Sequence, residues 1–135
     1  MYRKILVPMA LDHGISPQTL EIAQALAGKG AEIIALHVYD TPQGTVSAYL
    51  DEGAIAAGYQ RAKERLIEKT RGLDGVKAEL IEGHTYRSII DYAKTHGIDC
   101  IVMGSQKPGI GEYLLGSTAA RVVRHAPCAV HVYRG

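Results

Sequence analysis

IVMGSQKPGIGEYLLGSTAARVVRHAPCAVHVYR, residues Ile101 to Arg134, is the stretch whose reading decides the fold. The apolar run Ile101, Val102, Met103 ends at Gly104, as a buried strand ends where the chain must turn. A polar loop containing Pro108, Gly109 and Gly111 follows and closes on Gly116-Ser117-Thr118. Ala119, Val122, Val123 and Ala126 then recur at helical spacing, Pro127 stops that helix, and Cys128 to Tyr133 alternates as a last strand. Strand, glycine loop and Gly-Ser-Thr helix start are the parts an anion site needs. Glycines let backbone approach the anion. The first N–H groups of a helix, at the positive end of its dipole, bind it.

The same alternation runs through the rest of the chain. Arg3 to Met9 reads as a buried strand, with Ile5, Leu6 and Val7 consecutive. Ser16-Pro17 forms an N-cap and first-turn pair. The helix it opens carries Ile22, Ala23, Leu26 and Ala27 on one face, with Gly28 and Gly30 near its end. Ala31 to Val38 is a second strand, and Asp40 to Ser47 a Pro/Gly/Thr loop. A long helix follows with Ile55, Tyr59, Ala62 and Leu66 on its apolar stripe. Its charged residues, Arg61, Lys63, Glu64, Arg65, Glu68 and Lys69, read as a solvated face. Val76 to Glu82 is a third strand. Thr85 can cap the next helix, whose apolar face is Tyr86, Ile89, Ile90 and Ala93, and Gly97 ends it. Asp99 to Gly104 is the fourth strand and Cys128 to Tyr133 the fifth.

Strands alternating with helices predict an α/β fold: a five-stranded parallel sheet with helices on both faces, Rossmann-like in the broad sense. Right-handed crossovers restrict the topology, and the order 3-2-1-4-5 follows, with a reversal between strands 1 and 4. Ligands of open α/β sheets bind at such a switch point, beyond the carboxyl ends of the strands. The Pro8 end of strand 1 and the Gly104 end of strand 4 meet there. Topology and the anion loop therefore select the same place.

Composition sets the remaining bounds. The 135 residues suit one domain, 1–135, with a sizeable core. A net charge of +1 does not call for nucleic acid or an anionic membrane surface. No stretch approaches the roughly 20 apolar residues of a membrane helix, and the apolar run after the first charges is too short for a signal segment. Cys100 and Cys128, each within an expected strand, read as small buried hydrophobes rather than a disulfide, so a cytoplasmic location is expected. Phe and Trp are absent, which weighs against single-strand nucleic-acid binding on aromatic platforms. The six histidines show no i, i+4 pair and no Cys-x2-Cys partner, so no metal site is expected. His37 and His131 read as satisfied structural residues near strand ends. There is no Gly-x-Ser-x-Gly elbow, no Gly-x-Gly-x-x-Gly after strand 1 and no Gly-x4-Gly-Lys-Ser/Thr loop.

The chain resembles the universal stress protein family. Members end in a strand, Gly-x2-Gly, a nine-residue spacer, Gly-Ser and a helix running into a final strand. The likeness extends to the opening strand, Lys4 to Pro8, and to Leu36-His37-Val38 at the end of the second. The shortened loop with Pro108 and Tyr113-Leu114-Leu115-Gly116-Ser117 resembles one subgroup of small bacterial members. The resemblance implies the same strand order, an adenine nucleotide bound across strands 1 and 4, and a homodimer.

Residue by residue, Gly116 and Ser117 match the family's Gly-Ser, whose backbone N–H groups and hydroxyl hold phosphates, and Thr118 follows at the helix start. As a plain sequence feature the same triplet is an ordinary helix cap. Gly104 matches the first family glycine, and Met103 before it can line the base pocket or pack in the core. The second glycine position is Lys107, either a flexible cation for a phosphate, a side chain filling open space, or a solvated lysine. Pro8 matches the family proline and Met9 is the variable residue after it. Ala10 stands where the family has Asp, and an acid comes only at Asp12. Asp12 can reach a ribose hydroxyl or Mg²⁺, or cap the turn around Gly14. Val38 matches the position whose backbone meets adenine. The resemblance implies ATP, with AMP or ADP as other candidates. Three functions stay in view: a regulatory nucleotide-binding protein, a slow ATP hydrolase, and an interaction module that binds no nucleotide, which Ala10 and Lys107 favour.

Overall fold

The structure is a computed structural model that describes residues 1–11, 16–40, 52–105 and 115–135. Along them run β1 (Tyr2–Pro8), α1 (Ser16–Leu26), β2 (Ala27–Tyr39), α2 (Glu52–Thr70), β3 (Val76–Glu82), α3 (Thr85–Thr95), β4 (Cys100–Gly104), α4 (Ser117–His125) and β5 (Ala129–Tyr133). The strands form one parallel sheet in the expected order, β3-β2-β1-β4-β5.

The uninterrupted apolar runs of the central strands reflect burial on both sheet faces. Successive side chains alternate between two cores. Leu6 joins Ile34, Leu36, Val38, Ile101 and Met103 beneath α3 and α4, which contribute Ile89, Tyr92, Ala93, Ala119 and Val122. Ile5 and Val7 join Ile33, Ala35, Cys100 and Val102 beneath α1 and α2, which contribute Leu20, Ala23 and Leu66. Cys100 therefore lies in one core, whereas Cys128, half-buried and just before β5, packs against the other.

Local chemistry fixes the junctions. At the end of α3, Gly97 has φ +65°, a left-handed conformation that glycine adopts without a Cβ penalty. The N–H of Ile98 returns to the Ala93 carbonyl at 3.1 Å, closing a Schellman-type stop. Asp99 then joins the two central strands at their amino ends. Its carboxylate accepts the N–H groups of Arg3 at 2.8 Å and Lys4 at 3.0 Å, and its own N–H donates to the Lys4 carbonyl at 3.0 Å.

Beyond one-residue shifts at both ends of β1, at the end of β2 and at the start of β4, four expectations need correction. Thr85 is not the cap of α3 but its first residue; His84 is the N-cap, with no side-chain capping bond, and the Thr85 hydroxyl turns to Asp40 at 3.5 Å. Val123, expected on the core face of α4, is 46% exposed. The buried stripe of this short helix centres on Ala119, Val122 and Ala126, and a residue about 100° past Val122 falls at its margin. β2 begins at Ala27 rather than Ala31, and Gly28 and Gly30 belong to it. Gly30 has positive φ, and the register against β1 shifts between Tyr2 and Lys4, so the glycines mark an irregular strand start as well as a helix end. Cys128 lies one residue outside β5.

Candidate functional site

β1 and β4 are parallel neighbours, Leu6 opposite Ile101, so the Pro8 and Gly104 ends lie on one edge of the sheet. The chain leaving β1 is held there. The Met9 N–H donates to the Leu36 carbonyl at 2.8 Å, and His37 Nδ1–H donates to the Met9 carbonyl at 2.6 Å. His37 is thus a satisfied structural residue, as its position suggested. The Met9 side chain is buried and Ala10 is exposed. On the neighbouring strands, Val38 and Met103 are both buried in the core beneath α3 and α4, and Leu115 packs against that core. Met103 serves that core. Asp12 and Lys107 lie outside the described residues.

The two ends of the β4–α4 connection meet at Ser105. Its N–H donates to the Tyr133 carbonyl at 2.9 Å, and its hydroxyl accepts the Gly116 N–H at 2.8 Å. Gly116 is the N-cap of α4, with φ −58° and ψ 156° and no side-chain capping bond. Its carbonyl accepts the Ala120 N–H at 2.9 Å, the first bond of the helix. By helical geometry the N–H groups of Ser117, Thr118 and Ala119 have no acceptor inside α4. Ser117 is exposed and Thr118 half-buried, so this helix start is open to solvent. Gly116 is not required by its own φ. Among the described residues a Cβ there would meet Ser105 Oγ at 3.7 Å, an ordinary contact. Its chain neighbours aside, no other described residue comes within 4 Å of that Cβ position.

Beside this edge, α3 and α4 present a cationic rim. Tyr86, the second residue of α3, packs against the core that contains Val38 and Met103. The Arg121 guanidinium lies over its ring at 5.0 Å from the centroid, and that of Arg87 at 5.8 Å. Arg87 Nε–H donates to the Tyr86 hydroxyl at 3.3 Å. That hydrogen bond, with the two positive charges, holds the phenol below its usual range, and in turn raises Arg87.

The sequence reading placed most of these groups but missed Ser105 and the role of Tyr86. A serine after a strand-ending glycine carries no signal of a partner eleven residues away. Tyr86 was visible only as an apolar-face residue, since its partner Arg121 belongs to another helix.

Comparison with known proteins adds the family. The profile of the Universal stress protein family matches residues 1–134. A universal stress protein of Methanothermobacter thermautotrophicus is 34% identical over 144 aligned positions, covering 99% of this chain and 97% of the relative. Among solved structures, UspA of Lactobacillus plantarum superposes with a TM-score of 0.80 at 29% identity, covering 98% of both chains. The hypothetical protein MJ0577 superposes with a TM-score of 0.84 at 27% identity, covering 100% of this chain and 97% of its own. Matched along almost its whole length in sequence and in fold, the chain belongs to the universal stress protein family.

Proposed function

We propose that this chain is a regulatory protein that binds an adenine nucleotide, ATP foremost, at the β1/β4 switch point. One observation carries the reading: the end of β1, the end of β4 and the open start of α4 share one sheet edge, with Ser105 fastening the last two together. The phosphates take the N–H groups of Ser117 and Thr118 over Gly116, with the Ser117 hydroxyl beside them. Gly104 gives close backbone approach where β4 ends. Pro8, Met9 and Ala10 form the wall on the β1 side, and the backbone of Val38 meets the base above Met103. Asp12 holds a ribose hydroxyl or a Mg²⁺ ion on the phosphates, and Lys107 adds a cation. Two distant relatives lend support: a universal stress protein at 21% identity was solved in complex with cAMP, and one from Archaeoglobus fulgidus, at 18%, in complex with dAMP.

Residues 1–135 act in this reading as one domain in the cytoplasm, and occupancy shifts a conformation or interface that a partner reads. A homodimer is part of the proposal. β5 is an edge of the sheet, and Ala129 to Tyr133 offers a backbone that a second copy can pair with. Among the described residues no helix is long and apolar enough to cross a membrane. Exposed Ala10, standing where an acid is expected, favours a second reading, an interaction module without nucleotide.

Acid extraction of the purified protein followed by chromatography separates the two. Released adenine nucleotide, stoichiometric after incubation with ATP and desalting, supports the first. Its absence from a folded sample supports the module. Turnover of added ATP would instead require hydrolysis. Sedimentation of the parent beside His131→Pro tests the dimer: the parent should sediment as a dimer and the variant as a monomer.

A further inference from the structure

The cationic rim has no role in the site as described so far. α3 and α4 lie side by side on one face of the sheet, and both begin at the edge where Gly116 and Gly104 lie. Arg121 follows Ser117 by four residues and Thr118 by three, so all three share one face of α4. Helical side chains lean toward the helix start, the direction in which the Ser117–Thr118 turn lies from Arg121. Tyr86 receives the Arg121 guanidinium, ring to guanidinium at 5.0 Å. Tyr86 is itself seated on the core that holds Val38, Met103 and Leu115. The second guanidinium, Arg87, faces the same ring.

Among the described residues these two charges have no salt-bridge partner. Among the described residues the ion pair is Lys4 with Glu32, at the other end of the sheet, and neither Arg87 nor Arg121 pairs with a carboxylate. Asp91, one turn further along α3, adds a favourable charge to Arg87. Two guanidiniums on one aromatic ring, held at the level of two helix starts, form a fixed double cation. An arginine placed this way matches phosphate oxygens in pairs and loses little freedom on binding.

We infer that Arg121, aimed by Tyr86, forms with Arg87 the rim that takes the outer phosphates of a nucleoside polyphosphate, making the site selective for tri- and diphosphates over monophosphates. This rests on the nucleotide reading above and adds the ligand class to it. The α-phosphate stays with the α4 backbone; the β- and γ-phosphates, which a monophosphate lacks, reach the rim.

The test is calorimetric titration of the nucleotide-stripped full chain with ATP, ADP and AMP at one ionic strength. The parent should favour ATP over AMP by about tenfold or more, the worth of one charge-assisted hydrogen bond. Arg121→Gln should lower that ratio several-fold by weakening ATP alone, leaving the share that Arg87 supplies. Tyr86→Phe, which keeps the ring, should preserve the ratio, and Tyr86→Leu should lower it. Arg121 is exposed, so its variant keeps the fold even if Tyr86→Leu does not. A parent that binds ATP and AMP alike, or an Arg121→Gln variant with an unchanged ratio, overturns the inference and leaves nucleotide binding standing. A parent that binds none of the three overturns both.

Discussion

Asp99 is the place where one atom group has the largest leverage on the switch-point strands. Its carboxylate accepts two backbone N–H groups of β1, from Arg3 and Lys4, and no other described side chain bridges β1 and β4 in this way. Asp99→Ala removes both acceptors and leaves the Asp99 N–H bond to the Lys4 carbonyl. A hydrogen bond to a charged group contributes about 1.5–3 kcal/mol. The bond to Arg3 is exposed and that to Lys4 part-buried, so water replaces part of the loss. The net cost comes to about 2 kcal/mol for the pair. For a chain of this length about 1 kcal/mol lowers Tm by roughly 3–5 °C, so the variant should melt roughly 6–10 °C below the parent. Asp99→Asn keeps one acceptor oxygen and should lose about half as much. Thermal unfolding followed by circular dichroism at pH 7 reads both. An Asp99→Ala variant melting within about 2 °C of the parent would show that the clamp is replaced by solvent and that the reasoning is wrong.

Other outcomes follow from the same structure. Ser105→Ala should lower stability by about 1 kcal/mol, since a half-buried Gly116 N–H loses its acceptor; chemical denaturation checks it, and Ser105→Thr should restore most of the loss. Tyr92 donates its hydroxyl to Glu79 from a buried position, and burial first, then that bond, raise its pKa. The unfolded phenol releases its proton near pH 10 while the folded one holds it, so stability should decline as pH rises past about 10. Tyr92→Phe should flatten that decline and cost about 1 kcal/mol at neutral pH, measured by denaturation across pH. Burial pushes the Cys100 thiol up to about 11 and also raises that of Cys128. In native protein a thiol reagent such as DTNB should label half-buried Cys128 first and Cys100 only on unfolding.

The strands and the helix faces were legible because both are matters of periodicity, and the strand order followed from right-handed crossovers. Ile5-Leu6-Val7 reads as a strand buried on two sides once helices flank it, and β3 runs from Val76 to Glu82 as expected. Helix margins were less legible. Val123 satisfies the same spacing as Val122, yet which of two adjacent valines faces the sheet depends on how α4 rolls against α3. At the site, Gly104 and Gly116 announced themselves through backbone chemistry. Ser105 and the Tyr86–Arg121 pair did not, because each depends on a contact between elements that no local pattern encodes.

The central claim is that the open start of α4 receives nucleotide phosphates, and calorimetric titration with ATP and Mg²⁺ of stripped parent beside Gly116→Val tests it most directly. Among the described residues the added Cβ meets only an ordinary contact at Ser105, and φ is ordinary, so the fold should survive with a cost of about 1 kcal/mol at the cap. The account predicts saturable binding by the parent and none by the folded variant. Equal binding by both, or no binding by a folded parent, would contradict it.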